Sequence, residues 1–171
     1  ILDRVRREAV DTVRRTWREA VGDGLAPAEA ATGPSALVAH ELRFTRTGWI
    51  QQTDFDALLD AIDPGSTLRL ATMPGHYAID GTVLGQVGPP PADPGGVERA
   101  VNAALVTGTT RTMQQDASYG LRQLTDVALK ALSRGINHPP TARDAIFHTA
   151  AVLLEMLRRD PPQPVITGKD D

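Results

Sequence analysis

Arg122, Asp126 and Lys130 stand four residues apart in a stretch whose apolar spacing predicts a helix, so their charges share one face and can interlock. Around them the chain gathers Arg111-Thr112 and Gln115-Asp116 before that helix, Gln123 within it, and Asn137-His138-Pro139 after it. This set contains guanidinium groups to hold an anion, a carboxylate or imidazole to act as base, and amides to orient a ligand. Those are the parts of a hydrolase or transferase with Asp126 or His138 as base and Arg122 or Arg111 as anion holder. The same residues also suit a solvated ladder, each pair contributing roughly a few tenths of a kcal/mol, or a polar contact surface between subunits. A straight helix places Asp116 and Asn137 about 30 Å apart, so one compact site cannot hold both unless a second copy supplies one of them.

Other chemistry is missing from the sequence. His40-Glu41-Leu42-Arg43-Phe44 begins like the zinc-protease helix signature but has Phe44 at the second ligand position. His40, His76, His138 and His148 are scattered, and neither a metal nor a cofactor is expected. The Gly-x-Ser-x-Gly elbow, the Gly-x-x-x-x-Gly-Lys phosphate loop and the Gly-x-Gly-x-x-Gly fingerprint do not occur. The absence of cysteine removes disulfide scaffolds, thiolate zinc sites and thiol nucleophiles. A net charge of −3 argues against nucleic acid as the main partner. With 171 residues, 41% hydrophobic and 23% charged, the composition is that of an ordinary folded domain or two small ones, and no run has the eighteen or so apolar residues of a spanning helix.

The elements that must position these residues predict an α+β fold: an N-terminal amphipathic helix, a small β-barrel or barrel-sandwich-like unit, and a C-terminal helical hairpin. Residues 1–22 form the first helix, which suits a surface helix, a partner-binding helix or the stalk just below a membrane anchor. Leu2, Val5, Ala9, Val13 and Trp17 make its apolar stripe, and six arginines lie on its other faces; it runs to about Ala20 and ends at Gly22-Asp23-Gly24. Residues 23–35 read as a linker. Residues 36–88 form the β-rich unit, with strands over 36–44, 48–52, 67–71, 77–79 and 83–87 and one short helix over 54–62, capped by Thr53 or Asp54. The segment from Gly75 to Leu84 is similar to the glycine-bracketed hairpin of barrel-sandwich domains. The unit contains no lysine, which excludes covalent carriage of biotin or lipoate.

Residues 97–160 form a helical unit with helices over 97–105, 115–133 and 141–159, the last two making an antiparallel hairpin. Leu121, Leu124, Ala128 and Ala131 are its inward face on the first arm, and Ile146, Ala150, Leu153 and Leu157 on the second. Leu129 interrupts an otherwise polar outer face and suggests a second contact surface. Gly135 is expected in the left-handed conformation, and Thr141 with Asp144 resembles a capping box. Residues 161–171 read as a polar, frayed tail.

Residues Gln115-Asp116-x-x-Tyr119-Gly120-Leu121-Arg122-Gln123-Leu124-x-Asp126, continuing through Ala128-Leu129-x-Ala131-Leu132-Ser133-x-Gly135-Ile136-Asn137-x-Pro139-x-Thr141-Ala142, carry a resemblance. It extends back through Gly108-x-x-Arg111-Thr112 and Thr47-Gly48-Trp49-Ile50-Gln51-x-x-Asp54. Together they resemble the signature of a family of predicted bacterial membrane proteins, domain of unknown function 2254, over roughly 45 to 160. The resemblance implies transmembrane helices preceding this segment and further sequence after it, in keeping with an opening at Ile1 inside a helical pattern, and makes the Arg-rich first helix juxtamembrane. The positive-inside tendency then places the segment on the cytoplasmic side.

The family reads Asn-Asp-Pro where this chain has Asn137-His138-Pro139, so Asn137 or Thr141 is expected to take over as N-cap if the missing Asp was one. The expected function is that of a non-enzymatic module of a bacterial membrane protein that assembles as a homo-oligomer and senses a small-molecule ligand of unknown kind. Its candidate assembly or ligand residues are Arg111, Gln115, Asp116, Arg122, Gln123, Asp126, Asn137 and His138, with none assigned a catalytic role. The alternatives are the hydrolase or transferase above and an accessory gate of a transporter or channel.

Overall fold

The computed structural model describes residues 1–19 and 39–168. The expected end of the first helix at Gly22, the linker 23–35 and the start of a strand at Ala36 fall outside the described residues. The elements are, in order, α1 (Leu2–Thr16), β1 (Arg18–Glu19), β2 (His40–Arg43), β3 (Gly48–Thr53), α2 (Phe55–Asp60), β4 (Thr67–Leu70) and β5 (Tyr77–Ala78). They continue with β6 (Val83–Gly88), α3 (Pro94–Ala103), β7 (Leu105–Gly108), α4 (Ala117–Ala131), α5 (Pro139–Leu157), β8 (Arg159–Asp160) and β9 (Val165–Thr167). The protein is thus mixed helix and sheet, and it divides into two compact units. Residues 1–19 with 111–162 make a helical unit, and residues 39–110 with 163–168 make a β-rich one.

In the β-rich unit the described strands form two sheets and no closed barrel. One has the order β2-β6-β4-β9 and the other β5-β3-β7, every pairing antiparallel. The segment from Gly75 to Leu84 is accordingly not a hairpin, because β5 pairs with β3 while β6 lies between β2 and β4. Turn glycines at 75 and 81, both with positive φ, hand the chain from one sheet to the other. Alternation along β4 sends Leu68 and Leu70 into a core shared with Leu42, Ile50, Leu58 and Val101, and the register irregularity opposite Leu42 and Arg43 brings Leu84 of β6 into it along with Val87. Each such side chain contributes roughly 1.5–3 kcal/mol by leaving water.

Asp54 caps α2 by accepting from Ala57 N, and Asp93 caps α3 by accepting from Gly96 N ahead of Pro94 in the first turn. The helix expected over 97–105 ends sooner, at Ala103. Leu105 instead opens β7, whose backbone bonds to β3 bury it beside Ile50. The tail is not frayed where it is described: Val165, Ile166 and Thr167 are β-branched and extend the first sheet along β4.

In the helical unit α1, α4 and α5 each pack on the other two, around Val5, Ala9, Val10, Met113, Leu124 and Val152. Gly120 permits the approach of α4 to α1, since a Cβ there would lie 2.5 Å from the Ala9 Cβ. The first helix stops at Thr16, short of Ala20. Trp17 is extended, and Arg18 and Glu19 pair antiparallel with Asp160 and Arg159. On α4, Leu124 and Ala131 are buried, with Leu121 and Ala128 half-buried beside them, so its expected inward face is the observed one.

On α5 the faces are exchanged. Ala142, Ala145, Val152 and Glu155 turn inward, whereas Ile146, Ala150, Leu153 and Leu157 are exposed. Small residues suit a close three-helix contact, and the bulkier stripe is left outside.

Candidate functional site

The most tightly built polar cluster sits where the chain enters α4. Asp116 is its N-cap, accepting from Tyr119 N, and its side chain is only 4% exposed. Arg111 meets it with Nε 2.6 Å from Oδ2, and the same guanidinium donates to Ser118 Oγ at 3.1 Å and lies 5.2 Å from the centre of the Tyr119 ring. Ser118 in turn donates to the other carboxylate oxygen of Asp116. A buried carboxylate must be paired and hydrogen-bonded, and here a cation, a hydroxyl and a helix N-terminus do this together. With both of its oxygens engaged this way, Asp116 is a positioning group that fixes the start of α4. Adjacent Thr112 has, among the described residues, a buried hydroxyl without a hydrogen-bond partner.

Arg122 and Asp126 form the expected pair at i and i+4, Nε to Oδ1 3.1 Å, on a face where both side chains are more than half exposed. Water competes for both groups, so the pair carries little energy. Gln115 and Gln123 are partly buried. Asn137 and His138 lie beyond the far end of α4, separated from Asp116 by its fifteen residues. The structure therefore brings together Arg111 and Asp116, and separately Arg122 and Asp126, but not the eight residues in one place.

The turn at Asn137 corrects two expectations. Asn137, and not Gly135, takes the left-handed conformation, with φ of 43°. The N-cap of α5 is His138 itself. Its Nδ1 faces Thr141 N at 3.4 Å and Thr141 Oγ1 at 2.8 Å, ahead of Pro139 and Pro140 in the first turn. An imidazole whose Nδ1 accepts does the work of a capping carboxylate, so the turn keeps its structure with His in place of Asp.

A second ionic cluster escapes sequence reading. Glu155, buried on α5, receives Arg14 Nε at 3.0 Å from α1 and Arg159 Nε at 3.0 Å from β8. Hydrogen bonds from Arg14 and then Arg159 hold its carboxyl below the usual carboxylate range, against the opposing effect of burial. Glu155 and Arg159 are four apart and visible as a pair, but nothing local points to Arg14. The cluster ties the ends of α1 and α5 beside the β1–β8 pair.

The motif residues of the β-rich unit also have structural partners. Gly48 faces Gly108, whose carbonyl oxygen would lie 2.9 Å from an added Cβ. Trp49 packs edge-on against Tyr77, and Gln51 donates to the carbonyl of Thr110. Among the described residues no group of three or more histidine or carboxylate side chains could hold a metal, and no helix is long and apolar enough to cross a membrane.

The model of a family described as predicted membrane protein, domain of unknown function 2254, matches residues 1–171. Uncharacterised proteins of Mycobacterium tuberculosis strain H37Rv and of Mycobacterium bovis are each 33% identical over 172 residues, covering 96% of this chain. That alignment spans 32% of the length of either relative, so the chain corresponds to about a third of them. No solved structure matches it.

Proposed function

The chain belongs to the family of predicted membrane proteins termed domain of unknown function 2254, and on that premise we propose that it is an assembly module of such a protein, lying outside the bilayer on the cytoplasmic side and joining copies into a homo-oligomer. The single observation that carries this reading is the outer face of α5. Ile146, Phe147, Leu153, Leu154 and Leu157 are 44% to 68% exposed along one side of a helix whose opposite side is already packed. A contiguous apolar surface of this kind marks a contact site. Leu129 and Leu132 add exposed apolar side chains on α4. The cytoplasmic side is supported by the arginines of α1, at positions 4, 6, 7, 14 and 15.

Catalysis is the weaker reading, because Asp116 is held by Arg111 and Ser118 and Asp126 lies open to water beside Arg122. Light scattering on the purified chain over a range of concentrations tests the assembly reading. The expected result is a defined oligomer that Leu154→Glu dissociates and Arg122→Ala leaves intact. A monomer at every concentration overturns it.

A further inference from the structure

We propose that the outer face of α5 is a self-complementary surface, on which the α5 of a second copy lies antiparallel about a two-fold axis passing at Ala150; this rests on the assembly reading and names its partner. The exposed residues 146, 150, 153 and 157 are spaced four, three and four apart, with Phe147 and Leu154 beside them. That is the spacing by which one helix presents a continuous seam to another. Ala150 is the smallest residue of the seam and stands at its middle, so two axes can approach most closely there.

The larger residues are disposed symmetrically about it. Under an antiparallel two-fold axis, which keeps each flank on its own side, Ile146 meets Leu153 of the second copy and Phe147 meets its Leu154, and each contact occurs twice, as an isologous interface requires. The ends carry the charges. Asp144 and Arg158 are exposed on the same flank of the seam at its opposite ends, so antiparallel packing sets Asp144 of each copy against Arg158 of the other. Parallel packing about a two-fold axis sets the same flank of the two copies on opposite sides of the seam, so Asp144 and Arg158 find no such partners there. Arg143, one turn before Ile146, falls opposite Leu157 of the second copy and can cover it with its methylene stem. The polar groups that face the seam are thus confined to its two ends.

A chain without cysteine makes the test direct. Ala150→Cys places the two thiols within disulfide reach across the axis, because two helices in contact at an alanine bring those backbones within about 7 Å. On mild oxidation this variant is expected to become a covalent dimer, while Arg122→Cys on α4 stays uncrosslinked. Asp144→Arg and Arg158→Asp are each expected to raise the dimer dissociation constant roughly tenfold, and the double exchange to restore it. All four positions are exposed, and circular dichroism checks that the variants keep their helix content. An oligomer that persists by light scattering but is trapped at Arg122→Cys and not at Ala150→Cys overturns the α5 pairing and leaves the assembly reading standing. A monomer untrapped at either position overturns both. A monomer that floats with phosphatidylcholine–phosphatidylglycerol vesicles, and loses that binding in Leu154→Glu, also overturns both and gives the face to lipid.

Discussion

Two aspartate–arginine pairs lie close together in sequence around α4 and differ in almost everything that matters energetically. Asp116 with Arg111 is sunk at the helix N-terminus, its side chain 4% exposed, and satisfied by three separate groups. Asp126 with Arg122 stands on the outer face, 56% exposed, with water as its competitor. The residue types are the same, and helical spacing points only to the outer pair; burial is what separates a structural keystone from a surface ladder.

The largest effect that sharpens this contrast is expected from Asp116→Ala. The change removes the cap of α4 and leaves Arg111 and Ser118 without their acceptor, a loss of about 2–4 kcal/mol in urea unfolding. A loss below about 1 kcal/mol would put the two pairs on a par and erase the distinction. An intermediate effect belongs to Glu155, whose carboxyl is lowered by Arg14 and Arg159. A depressed folded-state value means that its stabilisation is fully present above the ordinary glutamate range and is lost as pH falls through the lower folded value. Glu155→Gln should therefore unfold more readily at neutral pH and show a flatter acid limb, as followed by thermal melts from pH 7 downward; parallel acid limbs in the two proteins would contradict it. The smallest effect is that of Arg122→Ala, about 0.3 kcal/mol and suppressed by salt. A loss as large as that of Asp116→Ala would mean that the outer pair is covered in the protein.

The mixed helix and sheet content was legible because capping residues and periodicity are local. Asp54 starts α2 where it is expected to, and both arms of the hairpin lie within a few residues of their expected limits. The division of the described strands between two sheets, in place of the expected barrel, was not legible. Whether β5 and β6 pair with each other or with strands of two different sheets is decided by β3 and β2, far along the chain. The faces of α5 failed for a different reason. An apolar stripe at Ile146, Ala150, Leu153 and Leu157 reads identically whether it faces its own unit or a partner. The true inner face, built from Ala142, Ala145 and Val152, is too small-sided to stand out. His138 was passed over as a cap because the rule for caps is written for oxygen acceptors, and an imidazole nitrogen meets the same need. Of the polar residues around α4, the Arg122–Asp126 pair followed from spacing, whereas the burial of Asp116 and the reach of Arg14 to Glu155 depend on the packing of α1.

The helical unit is assembled from the two ends of a long excursion: Thr12 on α1 donates to the carbonyl of Met113, 101 residues away. At a ribosomal rate of about 5–20 residues per second, the first helix emerges roughly 5–20 seconds before its partners exist. Over that interval Val5, Ala9 and Val13 lack the α4 and α5 side chains that bury them in the folded unit, while the β-rich unit up to β7 is being made. Birth order and folding order therefore run opposite ways for α1. It is synthesised before the helices it packs on and must wait for them to find its place in the unit, and during the wait its apolar side is open to chaperones, to nascent neighbours and to a bilayer surface.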